Sequence, residues 1–230
     1  MTRWAPNGRV PAVVAILYVD EHLAVWSKPS GELVHPGWAR GEPTSMTRLR
    51  DELGRWVYPV HRLDRGTSGA LLMALDSDTA RALGELFAAG AVRKSYLALA
   101  RGRPPEAIEV DHPVRKGERG DERVPAVTSF ERLAVSDVAR CSLVAASPRT
   151  GRLHQIRRHL KHLSHPIVGD VRYGDGRINR QFRSQFELRR LALHAIRIQL
   201  THPATGESLD VSAPLPSDLS EPLAMLGLTP

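Results

Sequence analysis

The strand-like stretches of this chain come in closely spaced pairs, and that pairing limits its fold more than any other feature. VVAILYVDEHLAVWSKPSG (residues 13 to 31) reads as two apolar runs joined by a tight turn at Asp20-Glu21, closed by the breaker Pro29-Ser30-Gly31. TSFERLAVSDVARCSLVAASP turns near Ser136-Asp137, and IRIQLTHPATGESLDVSAP turns around Pro203 to Glu207. Strands that arrive as hairpins, without a helix between each one and the next, predict an α+β protein with a central, largely antiparallel mixed sheet and flanking helices.

The helices predicted between these pairs are few. TSMTRLRDELGRW has Thr44 or Ser45 as cap, Met46, Leu49 and Leu53 as apolar face and Gly54 as stop. SDTARALGELFAAG (77 to 90) reads as a helix with Ser77 as N-cap, after the buried-strand run ALLMAL (70 to 75). AVRKSYLALARG then alternates as a strand, with Tyr96 among apolar neighbours. A third helix is predicted from 153 to about 163, and the stretch at 115 to 123 reads as an exposed charged loop.

The chain carries 230 residues with 42% hydrophobic content, enough to bury a sizeable core in one large domain or two small lobes. No apolar run approaches the roughly 20 residues that span a bilayer, and the N-terminus lacks a signal-peptide pattern. One cysteine, Cys141, excludes an internal disulfide and a multi-cysteine metal site. These features predict a cytoplasmic protein with no membrane partner. The net charge of +7 is unevenly placed. Between Arg149 and Arg197 stand 12 Lys/Arg against 3 Asp/Glu, leaving 20 against 22 elsewhere. A basic excess confined to one segment points to a polyanionic partner, RNA or DNA.

Within that segment, TGRLHQIRRHLKHLSHPIVGD spaces Leu153, Ile156, Leu160 and Leu163 as one helical stripe. His154, Arg157, Arg158 and Lys161 lie along its flank, Arg157 nearest the buried side, Arg158 and Lys161 more solvent-directed. The plain alternative is an amphipathic surface helix with a basic polar face. Four histidines (154, 159, 162 and 165) raise the question of zinc, but His154 and His159 fall on different faces and HExxH is absent, so no metal is expected.

HRLDRGTSG (61 to 69) sets Asp64 among arginines ahead of a Thr-Ser-Gly turn. The plain reading is a loop carboxylate paired with Arg62 or Arg65. GxSxG, GxxxxGK[ST] and the HxE with PCxxC signature of nucleobase deaminases are all missing. What is left is a metal-free carboxylate beside a basic segment, suited to nucleophilic or acid/base work on a nucleic acid.

HRLDRGTSGALLMA, KSY (94 to 96), TGRLHQIRRHL with HPIVGD, and LHA (193 to 195) together resemble, in order, the motifs of the RluA-type pseudouridine synthases. YVDEHLAVWSKPSGELVHP resembles that family's opening strands, and the stretch from YGDGRINR to FELRRLALHA is most similar to its tRNA pseudouridine synthase C branch. Ser27 stands where many relatives have Asn. The resemblance implies a sheet crossed by a catalytic cleft and isomerisation of uridine in RNA to pseudouridine without cofactor. tRNA is the first expectation for the substrate, with rRNA, or a non-catalytic RNA-binding role, as alternatives.

The resemblance also implies site roles. Asp64 would be the catalytic carboxylate, as nucleophile or charge stabiliser, Tyr96 the residue that packs on the target base and serves as a base for the last proton, and Arg157 the partner of Asp64. Arg62 would fill the space of the flipped nucleotide, with Leu193 under the base. His61, Arg152, Arg158 and Lys161 complete the expected substrate and RNA contacts, although His61 and His194 read as makers of structural hydrogen bonds. The expected layout is a flexible segment at 1–13, a catalytic domain at 14–212 and a C-terminal tail at 213–230, and the expected state is a monomer.

Overall fold

The computed structural model describes residues 16–35, 37, 41–117 and 120–228, and the expected flexible segment at 1–13 lies outside them. In chain order the elements are β1 (Ile16–Val19), β2 (Leu23–Lys28), α1 (Ser45–Leu53), β3 (Tyr58–Pro59), β4 (Ser68–Ala74) and α2 (Ser77–Ala88). There follow β5 (Arg93–Arg101), β6 (Ala107–Asp111), β7 (Val114–Arg115), β8 (Arg123–Val124), β9 (Val127–Val135) and β10 (Cys141–Pro148). The chain continues with α3 (Gln155–His162), α4 (Gly176–Phe186), β11 (Leu193–Thr201), β12 (Ser208–Ser212) and α5 (Ser217–Met225).

Each of the three predicted hairpins forms: β1 pairs with β2, β9 with β10 and β11 with β12, all antiparallel. Ten strands build one mixed sheet in the order β1-β2-β4-β11-β5-β10-β9-β6, with β12 beside β11 and β3 beside β4, while β7 and β8 form a separate ribbon. Among the described strands the one parallel pairing joins β11 to β4, through His194 opposite Ser68 and Ala195 opposite Gly69. The protein is therefore α+β, with a large mixed sheet that is antiparallel apart from this junction.

Alternation along β2 and β4 divides the core in two. Ala24, Trp26, Leu71 and Met73 face the larger cluster, which also takes Leu49 of α1 and Leu160 of α3. Leu23, Val25, Ala70 and Leu72 face the smaller cluster with Leu83 of α2. Burial on both faces is why β4 reads as a continuous apolar run and not as an alternating one.

Three sequence expectations change. The N-cap of α2 is Asp76, not Ser77: its carboxylate accepts from Thr79 N and Thr79 Oγ1, both at 2.7 Å, a stronger acceptor than the serine hydroxyl. The α3 helix starts at Gln155, because His154 before it is left-handed (φ 55°) and breaks the helical path. Beyond residue 212 the chain does not trail off. Leu219, Leu223, Leu226 and Leu228 are buried in the larger cluster, so the segment expected as a tail packs as part of that core. Its four leucines find their partners far away along the chain.

Candidate active site

Register across the sheet determines what meets at its centre. Gly69 of β4 stands opposite Lys28 of β2 on one side and Ala195 of β11 on the other. Ala195 in turn stands opposite Tyr96 of β5, and Tyr96 opposite Ala146 of β10. The loop carrying Asp64 enters β4 at the end of this row, so Asp64 and Tyr96 are brought to one place although neither is near the other in sequence. Gly69 has φ +113°, and a Cβ there would lie 2.2 Å from the Ala195 carbonyl oxygen. Only glycine lets β4 and β11 approach this closely.

The loop is held from beneath by Lys28. Its Nζ is fully buried and donates to the carbonyls of Pro29 at 2.9 Å, Arg65 at 3.2 Å and Thr67 at 2.7 Å. Burial pushes the ammonium down to about 7, against the pull of Glu32 and of Asp64. Ser30 Oγ adds a bond to the Gly66 carbonyl, and Thr67 N donates to the Asp64 carbonyl at 3.0 Å.

Asp64 has the partner expected of it. Arg157 Nη1 donates to Asp64 Oδ2 at 3.0 Å, and neither Arg62 nor Arg65 does so: Arg65 pairs with Glu42 instead. Behind Arg157 stands Asp170, which the sequence reading did not single out. Its side chain is fully buried and takes Arg157 Nε at 2.7 Å and Nη2 at 2.9 Å, a two-pronged pairing that fixes the guanidinium plane. Asp170 Oδ1 also accepts from the amides of Arg172 and Tyr173. Burial alone would raise this carboxyl, but Arg157 and those amides hold it below the usual carboxylate range. For Arg157 burial works against the charge, and Asp170 with Asp64 more than reverses that, so it stays charged at all working pH.

His154 adds a further group. Its Nε2 lies 3.8 Å from Asp64 Oδ2 while Nδ1 is hydrogen-bonded to the Tyr173 hydroxyl at 3.0 Å. Burial, together with Arg157, Arg158 and Arg172, outweighs Asp64 and lowers its pKa, favouring a neutral ring. Tyr96 is buried, and its hydroxyl pKa rises well above the usual phenol range through burial and the Asp64 charge.

These groups lie around a cavity of about 580 Å³. Of the residues named from sequence, Asp64, Tyr96, Arg157, Arg62, His61, Arg152 and Leu193 line it; Arg158 and Lys161 do not. Arg158 is also not solvent-directed as expected. Its guanidinium is spent on the Tyr173 hydroxyl and on the carbonyls of Arg115 and Gly117, tying α3 to the β7–β8 ribbon. His61 Nε2 accepts from Leu72 N at 2.9 Å, the ring stacks on Phe87, and burial with the Lys94 charge lowers it to about 3. His194 likewise bonds Ser68 Oγ at 2.8 Å and is lowered to about 4, chiefly by burial. The histidines behind the zinc question are dispersed: His159 bonds Thr128 and the His112 carbonyl, His162 stacks on His112, and His165 bonds the Arg101 carbonyl. Among the described residues no group of three or more His, Cys, Asp or Glu is placed to hold a metal.

Residues 22–162 match the family model described as RNA pseudouridylate synthase, and the chain belongs to that family of isomerases. Its curated relatives narrow the likeness. The tRNA pseudouridine synthase C of Haemophilus ducreyi is 42% identical over 217 residues, 86% of this chain and 89% of that protein. The tRNA pseudouridine synthase C of Salmonella typhimurium is 41% identical over 235 residues, 94% and 90% of the two. Among solved structures, human RNA pseudouridylate synthase domain containing 4 matches with a TM-score of 0.76 at 30% identity, covering 94% of each chain.

Proposed function

We propose that this protein is a tRNA pseudouridine synthase in which Asp64 supplies the reacting carboxylate, Tyr96 packs on the target base and Arg157 aims Asp64. The single observation that carries the reading is the Asp64–Arg157–Asp170 chain of contacts at the base of the cavity, with bonds of 3.0, 2.7 and 2.9 Å. Its tRNA component rests on the relatives named above.

In the reaction the N1–C1′ bond of uridine breaks, the freed base turns, C5 bonds to C1′, and the proton lost from C5 is matched by one gained at N1. No redox change or added group is required. The reacting atoms of a stacked uridine are hidden, so the nucleotide must leave its stack to reach a cavity of about 580 Å³. Arg62 is exposed at the cavity wall, makes no hydrogen bond or ion pair among the described residues, and can occupy the space the nucleotide vacates. Leu193 and the Tyr96 ring offer apolar surface to the extruded base.

Arg157 sets a positive charge against Asp64 and limits its rotation, which is the preorganisation that a carboxylate acting on the glycosidic bond needs. Tyr96, with its phenol pKa raised, enters as a neutral hydroxyl. That supports a packing and hydrogen-donating role over one as a resting phenolate base. The protein acts in this reading as a cytoplasmic monomer on RNA, with no cofactor.

The test is Asp64→Asn, which keeps the side-chain size. Conversion of uridine should be abolished while tRNA binding survives. Pseudouridine mapping of total RNA from cells with and without the protein then separates tRNA from rRNA as substrate. Normal conversion by the variant would refute the role of Asp64.

A further inference from the structure

The basic segment at 149–197 is largely consumed by internal contacts. Arg149 pairs with Glu109, Arg157 with Asp64 and Asp170, Arg190 with Asp218, and Arg197 with Asp210. Arg152 and Arg158 donate to backbone carbonyls. An arginine already satisfied by a carboxylate has little to offer a phosphate. The cations left over therefore say more about RNA contact than the total does.

Three of them stand together on α4. The side chains of Arg177, Arg180 and Arg183 are exposed and make no hydrogen bond or ion pair among the described residues, and GRINRQFRSQF contains no acidic residue, although Asp175 just before it feels the Arg177 charge. Elsewhere exposed arginines commonly carry an acid beside them, as in Arg48–Glu32, Arg50–Asp51, Arg65–Glu42 and Arg81–Glu85. At 100° per residue Arg177 and Arg180 stand roughly opposite the buried Phe182 and Phe186, and Arg183 flanks that pair. Their Cα atoms span about 9 Å along the axis, and long side chains can fan from there over neighbouring phosphates of one strand. The helix N-terminus does not compete for those phosphates, because Asp175 already accepts from the amides of Arg177 and Ile178.

The inner face of the same helix is tied to the catalytic chain. Asn179 Nδ2 donates to the Asp170 carbonyl, and Asn179 Oδ1 accepts from Gly169 N, both at 2.9 Å. Asp170 holds Arg157, and Arg157 holds Asp64. The arginine face is thus registered against the reacting carboxylate through three successive side-chain contacts.

We infer that α4 is a tRNA-backbone docking surface: Arg177, Arg180 and Arg183 bind phosphates outside the cavity, and Asn179 fixes that grip relative to Asp64. This rests on the proposed function and adds where the RNA is held. α4, and not the α3 flank carrying Arg158 and Lys161, supplies the main backbone contact of the basic segment.

The experiment compares wild type with the triple variant Arg177→Gln/Arg180→Gln/Arg183→Gln on a tRNA transcript, by filter binding over a salt series and by steady-state pseudouridine formation. A control variant, Arg50→Gln/Arg81→Gln, removes two exposed arginines that have acidic partners. The triple variant should raise Kd and KM roughly tenfold or more at moderate salt, with the slope of log K against log salt reduced by about one per arginine. Its kcat at saturating tRNA should stay close to that of wild type, and the control should match wild type throughout. Lysine at all three positions should restore much of the slope, since phosphate contact needs charge. A triple variant with unchanged KM and slope overturns the inference and leaves the proposed function standing. Wild-type protein that forms no pseudouridine in tRNA overturns the proposed function instead.

Discussion

Asp170 is the group whose removal tests the site most directly. Its side chain has no solvent exposure and accepts four hydrogen bonds: two from Arg157 and one each from the amides of Arg172 and Tyr173. Removing one member of a buried ion pair typically costs about 3–5 kcal/mol, because the other charge is left without compensation. Here Arg157 keeps Asp64, so Asp170→Ala should fall toward the lower part of that range, about 3 kcal/mol, with about 1 kcal/mol more for each amide left without an acceptor. Asp170→Asn keeps an acceptor for those amides but turns an NH₂ group toward the guanidinium. It should therefore lose about 2–3 kcal/mol, and the difference between the two variants measures the amide bonds.

The effect on rate follows from aim, not from chemistry at Asp170. With Nε and Nη2 released, Arg157 can rotate and draw the Asp64 carboxylate with it, and a misplacement of about 1 Å at a reacting group costs on the order of 10²-fold. Urea denaturation gives the stability change, and single-turnover pseudouridine formation at saturating tRNA gives the rate. An Asp170→Asn variant within about 1 kcal/mol of wild type, turning over at the wild-type rate, would refute the argument. Arg157 would then be oriented without its second carboxylate.

Three further outcomes follow. His61 and His194 have folded pKa values of about 3 and about 4 against 6.5 unperturbed, so the unfolded chain binds protons more readily. Stability should be complete above the unperturbed value and decline as pH falls below it, by up to roughly 1.4 kcal/mol per pH unit for each histidine; a denaturation midpoint flat between pH 7 and pH 5 would contradict this. Gly69→Ala places a Cβ 2.2 Å from the Ala195 carbonyl at φ +113°, and should cost several kcal/mol, on the order of 3, together with activity. Leu223→Ala in α5 should lower stability by about 2–5 kcal/mol in thermal melts, as for a leucine in the main core. A loss within about 0.5 kcal/mol would mean that the C-terminal helix is peripheral.

The hairpins, the buried strand β4 and the amphipathic helices could be read in the sequence, because each depends on a local period of apolar residues and on turn chemistry. Asp64, Tyr96 and Arg157 were legible as candidates through motif resemblance, and the position of Arg157 beside an apolar stripe already called for a carboxylate. That resemblance also named Asp64, 93 residues away, as its partner, but the second carboxylate was not legible: Asp170 is 13 residues from Arg157, and GDVRYGD reads locally as an ordinary turn. Lys28 was passed over for the same reason: a lysine looks like surface until carbonyls up to 39 residues distant fold around its ammonium. The charge of the 149–197 segment was countable from sequence, but its availability was not, since each arginine is free or spent according to the acid that tertiary packing places beside it. By itself, then, the sequence determined the α+β class, the strand pairs and the candidate side chains Asp64, Tyr96 and Arg157. The parallel junction of β4 with β11, the second carboxylate behind Arg157 and the arginine face of α4 were decided by the tertiary structure, because register and ion pairing depend on contacts between residues that no local pattern links.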